Sequence, residues 1–437
     1  MSGLRVFLSS SRVCLNRYLW PSARPFSVMG SSSSTSRFTT EVLSCDPTSI
    51  HFPTDSDEPS INSPETLQAL RTAAHHLINK KQCVVFPTET VYGLGALALD
   101  PGASSRIFTT KGRPPDNPLI VHVSSVTMLR RLLPPDYQMP KHYETLVKRF
   151  WPGPLTLLFP NTAGKVPEVI TAGHPTVAIR MPSHPIARAL IAVADAPLAA
   201  PSANSSGRPS PTRAGHVYDD LKGKVGVILD GGCCSVGLES TVVDGLHEDS
   251  NLRILRPGGI TVEDIEKALA EDFDGSDVPV PKVLVHKRDY KDEGMEQAPT
   301  TPGMKYRHYS PTVPVTLLCT HSIPPQDTTP TSPRDYFSSL KDLARTSDQS
   351  IKVGVLLPTD SSLQEFTKEI PGVEFHHFTL GSTSDPLTIA QRLFDGFLTL
   401  DKMGVDLIVI EEVKEDREGL AIMNRVRKAA TESRWLR

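Results

Sequence analysis

Behind Ser63, Pro64 and Glu65 the apolar residues Leu67, Leu70, Ala74, Leu77 and Ile78 recur at helical spacing, which gives a helix one buried face. Serine ahead of proline and glutamate is a helix start, so the pattern predicts a helix ending near Lys81. The period then changes. Cys83-Val84-Val85-Phe86 is a short apolar run of the kind a buried strand requires, and it leads into Pro87 through Gly95, read as a loop dense in hydroxyls and glycines. Further runs predict strands over Leu119–Val123, Leu155–Phe159, Thr176–Arg180, Leu198–Ala200, Val225–Leu229 and Thr241–Asp244, with helices around Tyr143–Phe150 and Pro185–Val193. This alternation predicts an α/β domain with a large, twisted, partly antiparallel (mixed) sheet.

From about Gly275 to Pro311 prolines, charges and small residues alternate with no structural period, which marks an interdomain linker. Its last part, Thr301 to Pro311, holds two tyrosines, a histidine and two cations, a composition expected of a docked segment. Beyond it, strands over Val315–Leu318, Val353–Leu357, Val373–Thr379 and Leu407–Glu411 alternate with helices over Arg334–Arg345, Thr388–Lys402 and Ala421–Glu432. That order predicts a small Rossmann-like α/β domain, an open parallel sheet with helices on both faces. It has no dinucleotide fingerprint and no P-loop, so the bland reading is a structural or regulatory module. The expected organisation is an N-terminal extension over 1–60, a first domain over 61–274, an ordered linker over 275–312 and a small domain over 313–437.

The 437 residues suffice for two cores. With 46 basic against 49 acidic side chains and a net charge of −3, no chain-wide basic field advertises nucleic acid. The 39 prolines are nearly double the usual ~5% share, in keeping with long linkers. Six cysteines show neither C-x-x-C nor a zinc spacing, which predicts free thiols in a reduced compartment. No apolar stretch approaches a membrane span, so no membrane partner is expected. Met1 to Thr40 carries no Asp or Glu but has Arg5, Arg12, Arg17, Arg24 and Arg37 among serines and apolar residues, the composition of a mitochondrial transit peptide. Initiation at Met29 would remove most of it, so the expected location is cytoplasmic, with a mitochondrial form through the extension.

Lys111, Arg113, Arg180 and Arg256 supply fixed cations, while Thr88, Thr90, Ser202, Asn204, Ser205, Ser210, Ser240 and Thr241 supply neutral donors. Clustered at strand ends, such a set suits an anionic ligand, a nucleotide triphosphate or an amino-acid carboxylate, and predicts a site poor in carboxylates. A serine hydrolase is disfavoured, because Gly232 to Gly237 misses the nucleophile-elbow spacing. Cys233 lacks a partner, and His122 and His174 read as bases or as satisfied structural histidines. A nucleic-acid-binding module and a ligand sensor without turnover remain alternatives to an enzyme.

Six ordered blocks carry a resemblance: Pro87 to Gly95; Lys111-x-Arg113 with Asn117 to His122; Phe150 to Thr156; Pro201 to Asn204; Gly237 to Thr241; and Pro302 to Pro311. Together they resemble the YrdC-like threonylcarbamoyl-AMP synthases in their long, two-domain form, from about residue 60 to the C-terminus. The resemblance implies a nucleotidyltransferase that condenses L-threonine, bicarbonate and ATP to L-threonylcarbamoyladenylate and pyrophosphate, with Mg²⁺ accompanying ATP and no protein-held metal site. It also implies a downstream threonylcarbamoyl transferase that modifies tRNA beside the anticodon, and weak RNA or DNA binding. Carried over by position, Thr90, His122, Arg180, Ala200 and Ser240 would line a threonine pocket. Arg113, Asn117, Thr176, Ser202, Asn204, Ser210, Arg256 and Tyr309 would hold ATP, Arg253 being the alternative to Arg256, and Lys111 and Arg113 would serve catalysis. Tyr309 would close over the nucleotide.

Overall fold

The structure is a computed structural model that describes residues 38–437 apart from 55, 162–163, 287, 291–307 and 345–349. The arginine-rich stretch read as a transit peptide and the first part of the linker motif lie outside the described residues.

The expected mixed sheet is present, and it extends further than the sequence pattern indicates. In chain order its strands are β1 (Glu41–Ser44), β4 (Val84–Phe86), β5 (Gly93–Leu97), β6 (Val121–His122), β7 (Leu155–Pro160), β8 (Thr176–Arg180), β9 (Leu198–Ala199), β10 (Val227–Asp230), β11 (Thr241–Asp244), β12 (Leu252–Arg256) and β13 (Val283–Val285). A two-stranded ribbon, β2 (Ile50–His51) with β3 (Ser60–Ile61), lies between the first two. Side by side the sheet runs β1-β10-β4-β5-β9-β6-β8-β7-β11-β12-β13, with parallel pairs such as β1–β10 and β6–β8 among antiparallel ones such as β7–β8.

Two expected boundaries need correction. β1 belongs to the stretch set aside as an extension, yet it pairs in register with β10, Glu41 opposite Val227. β13 falls inside the expected linker and extends the opposite edge beside β12. Two further elements went unread: Gly93–Leu97 is a fully buried strand where a loop was expected, and α2 spans Pro101–Lys111.

Helix α1 (Pro64–Ile78) begins as predicted, with the Ser63 hydroxyl accepting from the Thr66 amide at 3.1 Å, which satisfies one of the orphan donors of the first turn. Its buried face, Leu70, Ala73, Ala74 and Leu77, packs into the main core with Val84, Phe86 and Leu190. At about 25 cal/mol per Å², such apolar burial is the main favourable contribution to the fold.

The C-terminal domain is a parallel sheet as expected, ordered β16-β15-β17-β14-β18 from β14 (Val315–Cys319), β15 (Ile351–Leu356), β16 (Val373–His377), β17 (Leu407–Glu411) and β18 (Glu432–Trp435), the last a fifth strand beyond the four the pattern predicts. Its long helices cover Pro386–Lys402 and Glu418–Ala429. This domain does not hang on a tether. Val91 and Leu238 of the first domain share one buried cluster with Tyr309, Phe394 and Ile389, and Arg208–Asp401 (2.9 Å), Arg213–Asp395 (2.6 Å) and Lys402–Asp219 (2.7 Å) pair across the boundary. Gly237 permits the approach: its φ is +76°, and a Cβ there would stand 2.4 Å from the Gln391 main chain.

Candidate functional site

A cavity of about 60 Å³ opens among the central strand ends, lined by Thr88, Thr90, His122, Arg180, Ala200 and Ser240. Arg113, Ser202, Glu239, Arg256, His308 and Tyr309 also line it. Nine of the residues that the resemblance carries over thus line one cavity.

Thr90 is held in the β4–β5 loop by Thr88, whose hydroxyl donates to the Val91 carbonyl at 2.6 Å and lies 2.8 Å from the Thr90 hydroxyl. Arg180 ends β8. Its Nη1 donates to the Thr90 hydroxyl at 2.8 Å, its Nε to the Gly153 carbonyl at 3.2 Å, and its Nη2 lies 2.7 Å from Glu89 Oε1. Glu89 is buried, and burial alone would raise its pKa, but the Arg180 charge and hydrogen bonds outweigh burial and hold it below the usual range. The guanidinium is therefore fixed from behind, with its plane set before any ligand arrives.

His122 is buried at the end of β6, its Nδ1 3.1 Å from the Ile120 carbonyl. Since a carbonyl only accepts, Nδ1 carries the proton at this contact. Burial, and then the Arg180 charge, push its pKa down to about 3, so the ring is neutral near pH 7. It acts as a polar wall and not as a cation.

Arg256 Nη2 donates to the Ser240 carbonyl (2.8 Å) and hydroxyl (3.1 Å), and that hydroxyl also meets Thr156 at 2.8 Å. Burial lowers the Arg256 pKa to about 10 and that of Arg113 to about 9. Arg253 is paired with Asp249 at 2.9 Å and does not line the cavity, so Arg256 is the arginine at the site. The Pro257-Gly258 turn after it presses on Glu239 to Thr241, where a Cβ on Gly258 would lie 2.3 Å from the Glu239 carbonyl. Only glycine allows this approach.

Five expected residues stand off the cavity wall. Lys111 ends α2, and its buried Nζ is spent on main-chain carbonyls, donating to Ser202 and, at 2.5 Å, to Asn204. Burial, with Arg113 nearby, drives its pKa well down. Asn204 in turn ties the loop by donating to Ser205 and Arg208, each at 2.9 Å. Ser210 donates to Glu239 Oε1 at 2.5 Å. Asn117 is buried beside Arg113, whose Nε donates to its carbonyl at 3.2 Å. Thr176 begins β8, four residues and about 13 Å from Arg180, opposite Pro160.

The expectation of a site poor in carboxylates needs correction. Glu239 lines the cavity and Glu89 stands behind Arg180. Both are neutralised internally, Glu239 by Arg425 at 3.0 Å, so the cationic character survives through Arg113 and Arg256. Both glutamates lie in blocks that carried the resemblance, but nothing local separates a site carboxylate from a structural one. Among the described residues no group of three or more His, Cys, Asp or Glu could hold a metal ion, and none of their helices is long and apolar enough to cross a membrane.

Tyr309 is buried with φ of +65°, a left-handed conformation uncommon for a side chain of this size. Its ring packs on Phe394 at 5.3 Å, and the next amide, of Ser310, donates to the Gly207 carbonyl at 2.9 Å. The end of the linker is thus docked in the site, as its composition predicts. Small-molecule sites usually hold ~300–1,000 Å³, so with Tyr309 in place the cavity is small for a ligand site.

Residues 76–258 match the Sua5_yciO_yrdC family model, described as telomere recombination, and residues 260–431 match the Sua5_C model, described as threonylcarbamoyl-AMP synthase, C-terminal domain. A threonylcarbamoyl-AMP synthase of Schizosaccharomyces pombe is 44% identical over 85% of this chain and 90% of its own. One from Bacillus subtilis is 40% identical over 86% and 95%. Among solved structures, P. abyssi Sua5 complexed with L-threonine matches with a TM-score of 0.68 at 37% identity, over 91% of this chain and all of that one.

Proposed function

Because the chain belongs to the threonylcarbamoyl-AMP synthase family, we propose that it condenses L-threonine, bicarbonate and ATP to L-threonylcarbamoyladenylate and pyrophosphate, an intermediate for threonylcarbamoyladenosine in tRNA. The observation that carries this reading is the shared cavity: a pre-set Arg180 with Thr90 and neutral His122 lines the same space as Arg113, Arg256 and Tyr309.

Arg180 receives the α-carboxylate of threonine through its remaining Nη hydrogens, with Glu89 fixing its plane. The amine then attacks the carbon of CO₂ derived from bicarbonate and loses a proton, giving a carbamate. This step gains chiefly from orientation and exclusion of water. A carbamate oxygen attacks the α-phosphorus, the bond to the β-phosphate oxygen breaks, and pyrophosphate leaves. Arg113 and Arg256 neutralise the charge that builds there.

Lys111 acts through the loop it holds: by anchoring the Ser202 and Asn204 carbonyls it places Ser202 in the wall. Mg²⁺ suits this site as a companion of the triphosphate, because Glu239, a carboxylate in the wall, is already engaged by Arg425 and Ser210. Tyr309 covers the mouth, which shields an acyl phosphate from hydrolysis.

The test is pyrophosphate release by the full chain with ATP and Mg²⁺, omitting L-threonine or bicarbonate in turn. Release that requires both supports the reading. Release with threonine alone identifies a threonine-adenylating enzyme, and none at all returns the sensor reading.

A further inference from the structure

Arg425 lies on the helix Glu418–Ala429 of the C-terminal domain and is 0% exposed. Its Nε and Nη2 each lie 3.0 Å from Glu239 Oε2, and its Nη1 donates to the Pro257 carbonyl. Its guanidinium carbon stands 5.7 Å from the centre of the Tyr309 ring. One buried side chain of the second domain thus touches the cavity carboxylate, the turn after Arg256 and the covering tyrosine.

We propose that Arg425 is a positioning residue for the nucleotide half of the site, holding the Glu239 carboxylate off the phosphate path and backing the Tyr309 ring. The identity of that half rests on the synthase reading. An unpaired carboxylate in the wall would face the triphosphate, and in a buried site the repulsion is poorly screened. Arg425 engages one Glu239 oxygen and Ser210 the other, at 3.0 and 2.5 Å, so neither is left to meet an incoming phosphate. Docking of the C-terminal domain thereby completes the cationic surface made by Arg113 and Arg256. Among the described residues Arg425 makes no hydrogen bond or ion pair with Thr90, His122 or Arg180, and it reaches Ser240 only through Glu239 and the Arg256–Pro257 turn, so its effect falls mainly on the nucleotide half.

The test measures binding to the full-length chain by calorimetry, with α,β-methylene-ATP and L-threonine as separate probes and no turnover required. Arg425→Gln is expected to weaken the analogue ~10-fold or more while changing the threonine Kd less than about 3-fold. Adding Glu239→Gln removes the orphaned charge and is expected to restore most of the analogue affinity, which a merely structural role for Arg425 would not allow. Equal weakening of both probes, or no rescue, overturns the inference. Should Arg425→Gln fail to fold, Arg425→Lys carries the test: it keeps the charge but loses the fork, and unchanged analogue binding overturns the proposal. A wild-type chain that binds both probes but makes no product refutes the synthase reading alone. One that binds no analogue overturns both.

Discussion

Glu89 Oε1 stands 2.7 Å from Arg180 Nη2, with both side chains buried, and this pair fixes the plane of a guanidinium that lines the cavity. Glu89→Gln keeps the shape and removes the charge, so Arg180 loses its rear anchor. We expect the threonine KM to rise ~10-fold with a smaller change for ATP. Breaking the pair by Glu89→Ala should cost ~3–5 kcal/mol of stability. Steady-state kinetics and thermal unfolding check both.

Arg180→Lys tests the same wall from the other side. Lysine cannot supply the planar fork that reaches Gly153, Thr90 and Glu89 together. The threonine KM should rise, and an unchanged KM would remove Arg180 from carboxylate binding.

Acid should destabilise the chain from about pH 6.5 downward. His122 and His308 have folded pKa values of about 3 and about 4, lowered first by burial and then by neighbouring arginines. The unfolded chain therefore takes up protons at these rings before the folded chain does. Each costs up to ~2 kcal/mol by pH 5. Glu89 and Glu239, held low in the fold, add their loss as pH falls further, through their folded values. Thermal unfolding between pH 7 and pH 5 should show a falling midpoint, and His308→Gln should flatten the fall.

Tyr309→Ala removes the ring between the cavity and Phe394. Pyrophosphate release should continue while the yield of adenylate per pyrophosphate falls several-fold, because the acyl phosphate meets water. Measuring both products in one reaction checks this, and an unchanged ratio would show that the tyrosine does not shield.

Much of the fold was legible because burial leaves a period. The α1 face and the strands Thr176–Arg180 and Thr241–Asp244 follow their apolar spacing. The misses have physical reasons. Glu41–Ser44 is an edge strand whose side chains are mostly exposed, so no apolar run announced it. Gly93–Leu97 packs its glycines against Phe86 and Ala200, and those glycines read as a loop. For α2, Asp100 ahead of Pro101 and Gly112 after Lys111 were available end signals, but the short polar residues between them gave little helical period.

The site was legible in part. The motif blocks contained the cavity residues, but the reach of Lys111 to the loop carbonyls and the Arg425–Glu239 pair, 186 residues apart, arise only from the tertiary fold.

The most direct test of the central claim supplies isotope-labelled bicarbonate with L-threonine and MgATP to the full chain and follows the label by mass spectrometry. Label should appear in an adenylate that also contains threonine, formed in step with pyrophosphate. An adenylate of threonine without the label, or ATP turnover indifferent to bicarbonate, would contradict that claim.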